Sequence, residues 1–165
     1  MSNDGLFPEP NWLTSQEMAA WRPLITVAMR LPAALDTQLR SAGMTHFEFA
    51  VLATLSEAPG RGMGLSRLAR EVNASPSRLS HVLRRLRDRG WLERVSGGRS
   101  ARAVLTDPGF DALSAAARGH VDEVRRLVYD ALDERDVADL ARIMPKLAAG
   151  LVPGAEPDSD VGEET

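Results

Sequence analysis

The stretch SPSRLSHVLRRLRDRG, Ser75 to Gly90, sets five arginines, a histidine and three serines among leucines spaced three and four apart. Two kinds of chemistry are open to such a set. The planar fork of an arginine takes guanine O6 and N7 in a bidentate pair, worth about 1–3 kcal/mol of discrimination, and serine or histidine adds weaker polar contacts to base edges. Arginines elsewhere on the same helix attract phosphates without reading sequence. Leu79, Val82, Leu83 and Leu86 fall at i, i+3, i+4 and i+7 and define the buried side, so Ser77, Arg78, His81, Arg84, Arg85 and Asp88 face outward. The first turns of such a helix reach bases, which assigns Ser77, Arg78 and His81 to base contact. Arg84 and Arg85, with Arg67, Arg70 and Arg94, are read as phosphate contacts or as salt bridges within the lobe. Ser75 is a favoured N-cap and, beside the free amides of a helix start, a phosphate contact as well. The plainer alternative for all of them is a solvated basic face.

The overall charge of −3 argues against a polyanionic partner, but the distribution argues for one. From Arg61 to Arg102 eleven arginines stand against three acids (Glu71, Asp88 and Glu93), a local balance of +8 that leaves −11 for the rest of the chain. The basic charge is confined to one segment.

Other chemistries find no footing. There is no cysteine, which removes disulfides, thiolate nucleophiles and cysteine metal sites. His46, His81 and His120 are isolated, without metal-ligand spacing, so neither metal nor cofactor is expected. No nucleophile elbow or paired catalytic carboxylates appear, and the glycines of PGRGMG read as a loop before a strand. An enzyme is not expected. The N-terminal MSNDGLFPEPNWLT lacks the basic and apolar order of a signal segment, and no apolar run approaches the ~20 residues that span a bilayer; the expectation is a cytoplasmic protein with no membrane partner.

The elements that must position the arginine helix can be read from caps and periodicity. A chain of 165 residues, 44% hydrophobic, supports one domain. Residues 1–13 and the acidic 152–165 read as a flexible tail and a disordered tail. TSQE places Thr14 and Glu17 in a capping box, and apolar residues from Trp21 to Leu39 extend that helix to about Arg40, with Pro23 and Pro32 predicting a kink or interruption. THFE repeats the capping box with Thr45 and Glu48, opening a helix through Phe47, Ala50, Val51 and Leu55 to about Ala58. A short strand at MGL, a helix at SRLAREV and a turn at Asn73 to Ser75 follow. Ser75 then caps the arginine helix with Pro76 in its first position, and Gly90 ends it. WLERV and ARAVLT bracket SGGRS as a hairpin. Helices are predicted over 107–132 and 133–151, with a kink at Pro145. Together with the first helix they carry more apolar surface than a two-layer monomer needs, which predicts a partner chain.

Helix, short turn, helix and hairpin, all inside the basic segment, make a winged helix-turn-helix. Counting from Leu65, residues Leu68, Ala69, Val72, Asn73, Leu79 and Val82 occupy positions 4, 5, 8, 9, 15 and 18, each of the type that two crossing helices require. The fold class expected is mainly α with a small β-hairpin wing: a winged helix-turn-helix lobe plus a helical dimerisation region.

The set LSRLAREVNASPSRLSHVLRRLRDRGWLERV…GRSARAVLTDPG resembles the MarR family of bacterial transcriptional regulators, including the glycine three residues after the threonine that ends the strand. The resemblance covers roughly 13–151. It implies a single domain over 14–151, with 14–44 and 107–151 as dimerisation helices and 45–106 as the DNA-binding lobe. It further implies a homodimeric repressor on a pseudo-palindromic operator of double-stranded DNA, released by a small aromatic or phenolic effector, for which Trp21, Met29, His46 and Phe49 are the candidate lining. Ordinary core packing is the plainer reading of those four. The wing departs from the family: RVSGGRSAR has no aspartate and is about three residues short, so Arg99 is the counterpart of the wing-tip arginine and Arg102 is left to lie along the phosphates. Two alternatives stay open, a non-specific DNA-organising protein and a winged-helix module for protein contacts.

Overall fold

The computed structural model describes residues 12–97 and 100–151. The chain divides into two compact units, at residues 123 and 124. The expected tails, apart from Trp12 and Leu13, lie outside the described residues.

The first unit opens with α1 (Ser15–Leu39), whose capping box of Thr14 and Glu17 is formed in both directions. Of the kink or interruption expected at Pro23 and Pro32, the interruption does not occur: the helix is a single element of 25 residues. Each proline deprives the carbonyl four residues earlier, of Ala19 or Ala28, of its donor, and both sites are exposed, so water can complete the bond. A 3₁₀ turn over Arg40–Ala42 and left-handed Gly43 (φ 70°) end the run. Helix α2 (His46–Glu57) starts from the second capping box, Thr45 with Glu48.

Strand β1 (Gly62–Gly64) leads into α3 (Leu65–Glu71). The turn to α4 (Pro76–Asp88) places Asn73 at φ 48°, a left-handed conformation that asparagine tolerates better than most residues with a side chain. Ser75 caps α4, accepting from Arg78 N at 3.3 Å, and Pro76 occupies the first turn. Strands β2 (Leu92–Gly97) and β3 (Ser100–Leu105) form the hairpin. The sheet has the order β1-β3-β2 and is antiparallel throughout, with Met63 opposite Ala103 and Arg94 opposite Ala103 on the other edge. Helix α5 (Asp107–Val124) completes the unit.

One core runs through α1, α2, the helix-turn-helix, the sheet and α5, from Leu39 and Leu52 through Leu68, Leu79 and Leu86 to Leu105 and Leu113. On α4 the buried residues are Leu79, Val82 and Leu86, with Leu83 half-buried; the periodicity had marked these four. Full burial of a leucine such as Leu86 is worth about 1.5–3 kcal/mol, so the helix is held from its inward face and its polar residues are left outside.

In the second unit, the helical path expected to Leu132 widens to π-helical pitch over Arg125–Tyr129. Asp133 then caps α6 (Glu134–Leu151), its Oδ1 accepting from Arg135 N at 2.8 Å and Asp136 N at 2.9 Å. Pro145 lies inside α6 without dividing it. The helix buries no residue, and Val137, Ile143, Met144, Leu147 and Leu151 stand exposed along it. Among the described residues, no helix is long and apolar enough to cross a membrane.

Candidate nucleic-acid interface

The outward face of α4 is the centre of the basic segment, and Ser75, Ser77, Arg78, His81, Arg84 and Arg85 are all exposed residues of it. The Ser75 and Ser77 hydroxyls lie 3.2 Å apart at the helix start. Arg84 lines, with Arg87 and Arg94, a cleft of about 210 Å³ between α4 and the hairpin, in which Glu93 is the one acid. Three guanidinium groups against one carboxylate leave that cleft positive, which suits a polyanion.

Several arginines have partners that no spacing announced. Arg78 Cζ lies over the Phe47 ring, 4.1 Å from its centroid. Arg85 Nη2 stands 3.1 Å from Glu48 Oε1, and the Glu48 side chain is 0% exposed. No aligned hydrogen bond reaches that oxygen, so the contact is one of charge. The other oxygen, Oε2, closes the capping box by accepting from Thr45 N at 2.8 Å. Arg89 Nη1 donates to Gly43 O at 2.6 Å. Thus α4 is fastened at three levels to one short segment, 43–48, and Arg85 belongs to the salt-bridge alternative as much as to the phosphate one. Arg67 pairs with Glu71 at 3.5 Å on the exposed side of α3, a contact of little energetic weight.

At the wing, Arg102 Nη2 donates to Gly62 O at 2.9 Å and ties β3 to β1, while the residue itself remains exposed. Arg99 lies outside the described residues.

The four residues proposed to line an effector site do not all meet. His46 and Phe49 converge on His120 of α5, with ring centroids 5.6 Å and 4.2 Å from it. Trp21 and Met29 stand 48% and 75% exposed on α1. His120 went unmarked in the sequence, although Leu113, Ala116 and His120 share one face of α5 and all are buried. Burial, and secondarily the charge of His46, holds the His120 imidazole below its ordinary value of 6.5. On the same side, His46 N donates to Asp36 Oδ1 at 2.6 Å, and Gln38 Oε1, His46 Nδ1 and His120 Nδ1 are buried without a hydrogen-bond partner.

A histidine kept neutral by the fold contributes stability that is whole above the unfolded value near 6.5 and is lost as pH falls below it towards the folded value. The urea midpoint of the wild type is therefore expected to drop between about pH 7.5 and about pH 5.5, and His120→Asn to drop less. An equal drop in both proteins would count against His120 as its source.

Residues 44–104 match the model of the MarR family. The HTH-type transcriptional repressor Rv2887 of Mycobacterium tuberculosis is 33% identical over 134 residues, spanning 77% of this chain and 94% of that protein. The crystal structure of Sco3205, a MarR family transcriptional regulator from Streptomyces coelicolor in complex with DNA, superposes with a TM-score of 0.83 at 41% identity, over 88% of this chain and 94% of that one. AbsC, a MarR family transcriptional regulator from the same organism, gives 0.81 at 33% identity, over 86% of this chain and 98% of that one.

Proposed function

Because the chain belongs to the MarR family of transcriptional regulators, we propose that it is a sequence-specific DNA-binding repressor that works as a homodimer on a pseudo-palindromic operator. The observation that carries this reading is the division of α4. Leu79, Val82 and Leu86 are committed to the core, while Ser77, Arg78, His81 and Arg84 stand exposed in the most basic stretch of the chain. In this reading Ser77, Arg78 and His81 meet base edges, and Ser75 and Arg84 meet phosphates. Arg85 and Arg102 add to the field from positions already held by Glu48 and by Gly62 O, and Arg99, outside the described residues, is the counterpart in sequence of the family's wing-tip arginine. That a relative 41% identical was crystallised with DNA, and that relatives 33% identical are named repressors, supports it.

The dimer rests on apolar surface that each unit leaves uncovered: Trp21, Val27 and Met29 on α1, and Val137, Ile143, Met144 and Leu147 on α6. Residues 14–44 and 107–151 would then form the dimerisation region, and 45–106 the DNA-binding lobe. Two recognition helices related by a two-fold axis enter successive major grooves about one helical turn, roughly 34 Å, apart. A small aromatic or phenolic effector, received beside His46, Phe49 and His120, would release the operator, with Trp21 and Met29 exposed on α1 as the other two candidates for its lining. The site of action is the cytoplasm.

The test is a comparison of duplexes selected from genomic fragments with scrambled duplexes, titrated over a range of salt. A preference for selected sites together with a steep salt slope supports a regulator. Equal affinities would favour a DNA-organising protein, and no salt-sensitive binding would favour a protein-interaction module.

A further inference from the structure

An arginine in the first turn of an exposed helix face is long and free to rotate, and reading a base with both ends of its fork demands one orientation. The packing of α4 does not supply it, because Leu79 and Val82 draw the helix inward while Arg78 points away. The restraint comes from another helix. Phe47, the second residue of α2, is half-buried against the core and holds its ring 4.1 Å from the Arg78 guanidinium carbon.

That ring is a fixed platform. The residues on either side of it are pinned: His46 N to Asp36 Oδ1 at 2.6 Å, and Glu48 within the capping box and beside Arg85. The contacts of Arg85 with Glu48 and of Arg89 with Gly43 O keep α4 and this segment together, so the platform and the arginine move as one. An aromatic ring takes up a face of a guanidinium, through attraction between the cation and the ring quadrupole, and leaves the N–H edges available. Bidentate pairing with guanine uses those edges, so the two contacts are compatible.

We propose that Phe47 is a positioning residue for base recognition, holding the Arg78 guanidinium so that its edge is presented to the base. The inference rests on the reading of Arg78 as a base contact. It implies that specificity at one operator position is set partly by a residue of another helix, α2.

The experiment measures full-length protein on a selected operator duplex and its single-base variants at fixed salt. Wild type, Arg78→Ala, Phe47→Leu, Phe47→Met, Phe47→Tyr and the double variant Phe47→Leu/Arg78→Ala are compared, each checked for a wild-type unfolding transition. Arg78→Ala identifies the position that Arg78 reads. Phe47→Leu and Phe47→Met are expected to lower discrimination at that position by about two- to five-fold, with other positions and the salt slope unchanged. Phe47→Tyr is expected to retain it, and the double variant to be no worse than Arg78→Ala. If Arg78→Ala flattens one position and the Phe47 variants leave it intact, or weaken all positions alike, the inference falls while the base-reading role stands. If Arg78→Ala changes no position, both fall.

Discussion

Gly109→Ala is expected to destabilise the first unit by about 3 kcal/mol, the upper end of what overpacking by one methyl group costs. In an ordinary helical position the change would be favourable by roughly 0.5–1 kcal/mol. Here a Cβ would collide with the Trp91 carbonyl oxygen and stand 2.8 Å from Leu105 Cδ1. The carbonyl cannot retreat freely, since it accepts from Thr106 N at 3.1 Å. Thr106 is itself held, with its hydroxyl donating to Gly90 O at 2.7 Å and accepting from Gly109 N at 3.2 Å. The TDPG motif is thus a clasp between the end of α4 and the start of α5, and only glycine lets the two backbones approach. Gly150→Ala in α6, where a Cβ would meet nothing within 4 Å, serves as the control. Chemical unfolding followed by circular dichroism decides the matter, and a Gly109→Ala protein as stable as wild type would refute the clasp.

Arg85→Leu is expected to cost about 1–3 kcal/mol, because it leaves the carboxylate of Glu48 buried with no cation beside it. Breaking a wholly buried pair costs more; the Arg85 side chain is 45% exposed, so solvent screens part of the loss. The sharper expectation is non-additivity. Glu48→Gln can keep the capping contacts while removing the charge, so Glu48→Gln/Arg85→Leu should be less damaging than the two single losses together. Strict additivity would mean that the pair contributes nothing. On DNA, Arg85→Leu should reduce the salt slope less than Arg84→Ala, since the charge removed is one that Glu48 already balances.

Much of the architecture was legible because it depends on neighbours in sequence. The capping boxes at Thr14 and Thr45 formed as TSQE and THFE imply, and the apolar period of α4 marked the side that packs. Pro23 and Pro32 left open whether the helix would be interrupted, because a proline's effect depends on whether its orphaned carbonyl meets water or protein, which is a property of the fold. The site was legible as a list of outward residues and not as a set of partnerships. Nothing local to SPSRLSHVLRRLRDRG says that Arg78 finds Phe47 or that Arg85 finds Glu48, residues some thirty to forty positions earlier. Glu48 was marked for its cap, and its second oxygen had no reader until α4 was laid across it. His120 was hidden for the same reason: a histidine on an apolar helical face is informative only when the facing side chains are known.

The central claim is that α4 reads DNA sequence from a face built for the purpose. Its most direct test is the affinity of the wild-type protein for an operator selected from genomic fragments against a scrambled duplex of equal length, measured at two salt concentrations. The expected result is an operator preference of about 10³-fold or more with both affinities falling as salt rises. Equal affinity for the two duplexes, or binding indifferent to salt, would contradict it.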